Sequence, residues 1–291
     1  MGCRNMAKTR DRWPELCERV AEVDGLPVYP IKPHTEEKLW FWHRYIDAVS
    51  TAMVGNPKWQ GGVSYLDLYS GPGVCELERP RKRLPGSPLI AAMASKPLSM
   101  IACCDSNASN AKACDERLAR LGKGDRYVIP GDANERIDEL ISSIPSRSLT
   151  LAFVDPFAFD LVFETLGSIA KGCRADFLIL FADGVDLIRN IRHVYQDPQA
   201  DRVDRFLGDE AWRTVYAGMD DHSGEAVGKV FRQFFRDRLR ERLGYKHFRE
   251  RPIGSGSTRY YTLVFASRHE LGANIWDRVT KKDHRGQDSL F

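Results

Sequence analysis

Val63-Ser64-Tyr65-Leu66-Asp67-Leu68-Tyr69-Ser70-Gly71-Pro72-Gly73 is the stretch that decides the fold. A short apolar run meets an acid, and two glycines one residue apart then let the backbone turn tightly and approach a ligand. The run has the length and flanks of a strand, so Asp67 and the Gly71-Pro72-Gly73 turn lie at a strand tip. Four later runs share this shape, SMIACCD, RYVIPGD, LTLAFVD and DFLILFA, each ending near Asp or Gly. Helix-like segments lie between them: SPLIAAMAS, NASNAKACDERLARL, NERIDELISSI and ETLGSIAKG. Strict alternation of strands and helices predicts an α/β fold, a mostly parallel Rossmann-like sheet with helices on both faces. Near the end, YKHFRERP and RYYTLVFAS are strand-like pieces about a turn apart, which predicts an antiparallel hairpin on the sheet edge.

Working outward, residues 1–60 form an N-terminal helical extension and 61–185 the core. Residues 186–245 form a helical insertion, and 246–291 are C-terminal strands completing the core sheet. In the extension, Pro14 starts a short helix and Thr35, Glu36 and Glu37 read as a cap. Leu39, Trp42, Tyr45, Ile46 and Val49 then recur at helical spacing and form one apolar face. The aromatic cluster Trp40, Phe41 and Trp42 reads as core.

The 291 residues are 43% hydrophobic and 29% charged, a globular composition that excludes collagen, disulfide miniproteins and wholesale disorder. A net charge of +3 is too small to identify a partner, so electrostatics must be read from local clusters. No run of about 18 apolar residues predicts a membrane span. No apolar stretch follows the basic N-terminus, so no secretion signal is expected. The seven cysteines are odd in number, contain no C-x-x-C and mostly sit in apolar runs, as reduced structural thiols of a cytoplasmic protein do. A soft metal site or redox pair at Cys103-Cys104 is the alternative. The histidines show no ligand spacing, and no metal is expected.

Ligands of doubly wound sheets bind beyond the carboxyl ends of the strands, so the tips hold the candidate site. A dinucleotide fingerprint needs a third glycine where this chain has Glu76, which argues against NAD or FAD. An acid four residues before a G-x-G turn is instead the pattern of Rossmann-like enzymes that use S-adenosyl-L-methionine (SAM). SAM is a sulfonium with an ammonium group and no pyrophosphate, so a nearby carboxylate favours it. The fold expected is thus the methyltransferase variant of the Rossmann-like sheet. Asp67, Tyr69, Ser70, Gly71, Pro72 and Gly73 would hold the methionine end. Asp105 would accept from the ribose hydroxyls, and Asp132 with Ala133 would meet the adenine. Each acid also has a plain structural reading, such as a helix N-cap. The fourth tip, Asp155-Pro156-Phe157, is similar to the acid-proline-aromatic motif of methyltransferases acting on exocyclic amines of bases. There the acid accepts from the amine and the ring stacks on the base. One proline stands where that motif usually has two.

Taken together, these residues resemble the three-Cys-motif partner (TcmP) proteins. The resemblance runs from Lys38-Leu39 and Tyr45 through YLDLYSGPG, Gly86-Ser87-Pro88-Leu89-Ile90-Ala91, GDAN and AFVDPF to Arg189 and YYTLVFASRHELG. It implies a methyltransferase-type fold in prokaryotic proteins and a separate three-cysteine partner protein. Ala158 departs from the glycine expected after Phe157.

Two basic segments point toward nucleic acid. Arg79, Arg81, Lys82 and Arg83 read as a loop at the mouth of the site, where they would contact phosphates. Residues 229–251 hold nine Lys or Arg on the face opposite Val227, Phe231, Phe235 and Leu239. The expectation is methyl transfer from SAM to a nitrogen of a nucleic-acid base, with Asp155, Pro156 and Phe157 as the catalytic residues. The alternative is a non-catalytic protein of the same fold that binds or positions the three-cysteine partner.

Overall fold

The computed structural model describes residues 11–157, 159–184, 191, 194–197, 201–255 and 258–281. Ala158 and Arg189, singled out in the sequence, lie outside them. In chain order the elements are α1 (Trp13–Glu18), β1 (Tyr29–Ile31), α2 (His34–Met53), β2 (Val63–Asp67), β3 (Val74–Glu78), β4 (Arg81–Pro85) and α3 (Ser87–Ala92). There follow β5 (Met100–Asp105), α4 (Ala108–Leu121), β6 (Asp125–Pro130), α5 (Ala133–Ser143), β7 (Leu149–Val154), α6 (Phe163–Gly172) and β8 (Arg174–Phe181). The last are α7 (Arg202–Leu207), α8 (Trp212–Ala217), α9 (Gly224–Leu243), β9 (His247–Ser255), β10 (Thr258–Ser267) and α10 (Glu270–Val279).

Seven strands form one sheet in the order β6-β5-β2-β7-β8-β10-β9. The first five are parallel neighbours, and β10 runs antiparallel to both β8 and β9. This is the expected Rossmann-like sheet with its antiparallel edge hairpin. The order reverses beside β2, which places the tips of β2, β5 and β7 around one crevice.

Side chains alternate across the strands and feed two cores. Tyr65, Cys103, Phe153 and Phe265 pack on one face with α2, α3 and α10. Leu66, Cys104, Val154 and Val264 pack on the other with α5, α6, α7 and α9. Because both faces are covered, the strands read as continuous apolar runs rather than alternating ones.

The helix α2 begins at His34 with Pro33 at its cap, two residues earlier than the predicted Thr35 cap. Its predicted apolar face is buried, and Tyr45 Oη donates to Asp176 Oδ2 on β8 at 2.9 Å. A small second sheet, β1-β3-β4, was not legible in the sequence. Its β4 is the basic segment read as a loop; it pairs with β3 instead, Glu76 facing Arg83 across the hairpin. The tail also carries α10 besides the two predicted strands. No helix of the described residues is long and apolar enough to cross a membrane.

Asp176 is buried, and its carboxyl is pushed above the usual range by that burial. Tyr45→Phe removes a donor from it and should cost about 1–3 kcal/mol. Urea denaturation checks this: a loss under about half a kcal/mol would mean that the bond does not tie α2 to the sheet.

Candidate active site at the carboxyl ends of the strands

A cleft of roughly 760 Å³ opens where β2, β5 and β7 end. Its walls include Tyr69, Ser70, Gly71, Pro72 and Gly73 from the first tip, Asp105 from the second and Asp155, Pro156 and Phe157 from the fourth. Gly71 and Gly73 have φ of +58° and +84°, a backbone that side-chain-bearing residues rarely adopt. A Cβ at Gly71 would meet no atom within 4 Å, so that glycine faces open space. The chain leaves Gly73 into β3, and a helix starts only at Ser87. Gly86 N–H donates to Gly73 O at 2.8 Å, which returns the helix start to the turn. A dinucleotide site needs the helix directly after its glycines, so the hairpin accounts for the failed third glycine position.

Asp105 sits half-buried at the end of β5. Its Oδ2 accepts from Gly71 N at 2.8 Å, and its Oδ1 accepts from Asn107 N at 3.0 Å and Asn110 Nδ2 at 3.2 Å. A carboxylate offers about four lone-pair sites, so roughly one is left for a ligand.

Two of the other predicted acids are placed differently. Asp67 is fully buried and lies off the cleft wall, enclosed by Tyr65 Oη at 2.7 Å, Ser87 Oγ at 2.6 Å and Tyr69 N at 3.1 Å. Burial pushes its carboxyl up to about 6 against the pull of those hydrogen bonds. It holds the turn through Tyr69 N and Ser87 Oγ. Asp132 caps α5 by accepting from Asn134 N at 2.8 Å, and neither it nor Ala133 lines the cleft. Asp132 still acts on the site, because after burial it is the next cause raising the Tyr69 phenol.

Sequence reasoning did not assign Lys38 to the site. Its ammonium is ion-paired with Asp155 Oδ2, and it lies 5.9 Å from the ring centre of Phe153 and 5.7 Å from that of Tyr261. His34, one helical turn earlier, stacks on Tyr260 at 4.2 Å. Burial and the Lys38 charge hold the His34 pKa below its usual value. The only advance signal was Lys38 within a family motif, because a lysine on an apolar helix face otherwise reads as ordinary. Tyr69 Oη and Tyr261 Oη are buried on the cleft walls without a hydrogen-bond partner among the described residues. Phe157, by contrast, is 75% exposed at the cleft.

The basic hairpin is committed elsewhere. Arg83 is buried and pairs with Glu76 and Asp24, Arg81 pairs with Glu76, and Lys82 pairs with Glu36. Of the four only Arg79 has no carboxylate partner among the described residues, and none of the four lines the cleft. The 229–251 stretch is similarly paired: Arg232 with Asp183, Arg238 with Asp209 and Arg242 with Glu164 on α9, and Arg249 of β9 with Asp277. Among the described residues, no cluster of His, Cys, Asp or Glu could hold a metal ion. Burial pushes the Cys104 thiol up to about 12, opposite to what a metal thiolate or redox pair requires.

No protein-family model matches the chain, and no curated protein matches it in sequence. Among solved structures it is similar to a Legionella pneumophila protein, with 13% identity and TM-score 0.47 over 86% of this chain and 95% of that one. It is also similar to Trm1 from Pyrococcus horikoshii in complex with SAM, with 12% identity and TM-score 0.43 over 90% of this chain and 62% of that one. A third is the magnesium protoporphyrin IX methyltransferase of Synechocystis with bound SAH, with 10% identity and TM-score 0.39 over 81% and 88% of the two chains.

The buried Asp67 makes stability depend on pH. Its carboxyl is raised from 3.8 unfolded to about 6 folded, so between those values the folded chain keeps a proton that the unfolded chain has lost. Stability from this group is complete below pH 3.8 and declines as pH rises through 6. Asp67→Asn should flatten that decline by on the order of 3 kcal/mol. Urea midpoints at pH 4, 5, 6 and 7 test it, and parallel curves for variant and wild type would refute the buried charge.

Proposed function

We infer that the cleft binds SAM and directs methyl transfer to a nitrogen of a nucleic-acid base. One observation carries this reading: the G-x-G turn, Asp105 and the Asp155-Pro156-Phe157 tip face a single cleft large enough for a cofactor and a planar acceptor. The residues fit SAM, since Asp105 has lone-pair capacity for a ribose hydroxyl. Tyr69 Oη is a buried group lacking a partner, and the open side of Gly71 leaves room for close approach. SAM supplies an already activated methyl group, so the chain need only align the acceptor and keep water out. Asp155 Oδ1, which takes no hydrogen bond among the described residues, accepts from the acceptor N–H and so orients the nitrogen lone pair. Phe157 offers its exposed ring for stacking. Lys38 holds the other oxygen of Asp155 and fixes the carboxylate. A three-cysteine protein is the partner that the motif resemblance favours.

The ion pair favours a second reading. With Oδ2 committed to Lys38, Asp155 offers half of its accepting capacity, as suits a protein that keeps the fold and a ligand while positioning its partner.

Saturating SAM, at 100 times its dissociation constant, should stabilise the protein by about 2.7 kcal/mol, and Asp105→Ala should remove most of the melting shift. Asp155→Ala should keep SAM affinity within a few-fold and lower transfer of labelled methyl to DNA or RNA by on the order of 100-fold. A shift with NADH but none with SAM would overturn the cofactor. SAM binding without transfer to any nucleic acid would leave the positioning role as the better account.

A further inference from the structure

A second cavity of roughly 620 Å³ lies at the opposite end of the sheet, where β7 and β8 begin at Leu149 and Arg174. Its walls are largely apolar, with Val49 and Met53 of α2, Trp59 and Ile275 among them. Lys58, Arg147, Lys171 and Arg174 also line it, and all four are exposed. None of these cations has a carboxylate partner within the described residues. The β3-β4 hairpin and α9 differ, because several of their cations are tied into ion pairs. The one carboxylate on the cavity wall, Asp176, is buried and accepts from Tyr45. Ser148 on the same wall is 3% exposed, and its hydroxyl has no partner.

We propose that this cavity is a binding site for a small organic anion, an apolar body bearing a carboxylate or phosphate. The chemistry is complementary on each count. The apolar walls take the body, and four positive charges without carboxylate partners among the described residues attract the acidic end. The volume falls within the range of small-molecule sites. A nucleic-acid backbone would need a stripe of cations along an open surface; here the charges surround a recess. Nothing in the site depends on the SAM cleft, which lies beyond the other ends of the same strands, so either assignment can fail alone.

Calorimetric titration of the whole chain tests the site with three probes: decanoate, acetate and decyltrimethylammonium. Decanoate should bind one per chain. Acetate lacks the apolar body and decyltrimethylammonium has the wrong charge, so both should bind at least about tenfold more weakly. The double variant Lys58→Glu, Arg174→Glu changes exposed positions and leaves the core intact. It should weaken decanoate by about tenfold or more, with Asp105-dependent SAM binding unchanged. Met53→Trp, which fills the apolar end, should block decanoate if its melting curve matches the wild type. Absence of decanoate binding at millimolar concentration would overturn the site. So would equal binding of the cationic probe, or unchanged affinity in the double charge-reversal variant.

Discussion

A carboxylate removed from water must take its hydrogen bonds from protein, and Asp67 takes them from two elements and one turn. Tyr65 Oη donates from the same strand, Ser87 Oγ from the first turn of α3, and Tyr69 N–H from the tip itself. Tyr65 Oη in turn accepts from Trp42 Nε1 of α2 at 3.2 Å, so one chain of bonds joins α2, β2 and α3 beneath the glycine turn. Burying the charge is costly, as the raised pKa records, and the satisfied donors are what offset that cost. The geometry of Gly71 and Gly73, and with it the donor from Gly71 to Asp105, rests on this support. The acid at the end of β2 therefore works here as a bracket for the turn, behind the cleft wall.

The second organising element is α2. Its first turns bring His34 and Lys38 to the cleft, its middle contributes Trp42 and Tyr45 to the core, and its last turns line the opposite cavity with Val49 and Met53. Polar groups near its start and in its middle are tied to the sheet, Lys38 to Asp155 of the β7 tip and Tyr45 to Asp176 near the start of β8. A buried ion pair rarely adds stability over an apolar pair of the same shape, because desolvation offsets its attraction. Lys38 and Asp155 are thus better understood through geometry: an aspartate at a strand tip is held in one orientation at the mouth of a cleft.

The parallel sheet was legible because both of its faces are covered. Each strand is then an uninterrupted apolar run between polar tips, and the five runs and the closing hairpin match β2, β5, β6, β7, β8, β9 and β10. The β3-β4 hairpin was not legible, since RKRLP carries its charge on paired side chains instead of showing an apolar period, and a basic run looks the same whether or not acids lie across the sheet. The cleft residues at the tips of β2, β5 and β7 followed from topology alone. Lys38 did not, because its partner lies 117 positions away and nothing local marks a lysine on a helix face as buried. For Asp132 both readings were local: it caps α5 through Asn134 N, two residues on, as the N-cap alternative expects.

Charge illustrates the general limit of one-dimensional reading. The basic stretches at 79–83 and 229–251 attract attention because their cations are adjacent in sequence, yet folding brings Glu36, Glu76, Asp183, Glu250 and Asp277 against them and spends most of that charge internally. Lys58, Arg147, Lys171 and Arg174 are scattered over more than a hundred positions, and folding collects them around one cavity without carboxylate partners. The field available to a ligand comes from charge left uncompensated in space. By that measure the cavity at the end of the sheet remote from the glycine turn offers an anion more than the paired residues of the β3-β4 hairpin do.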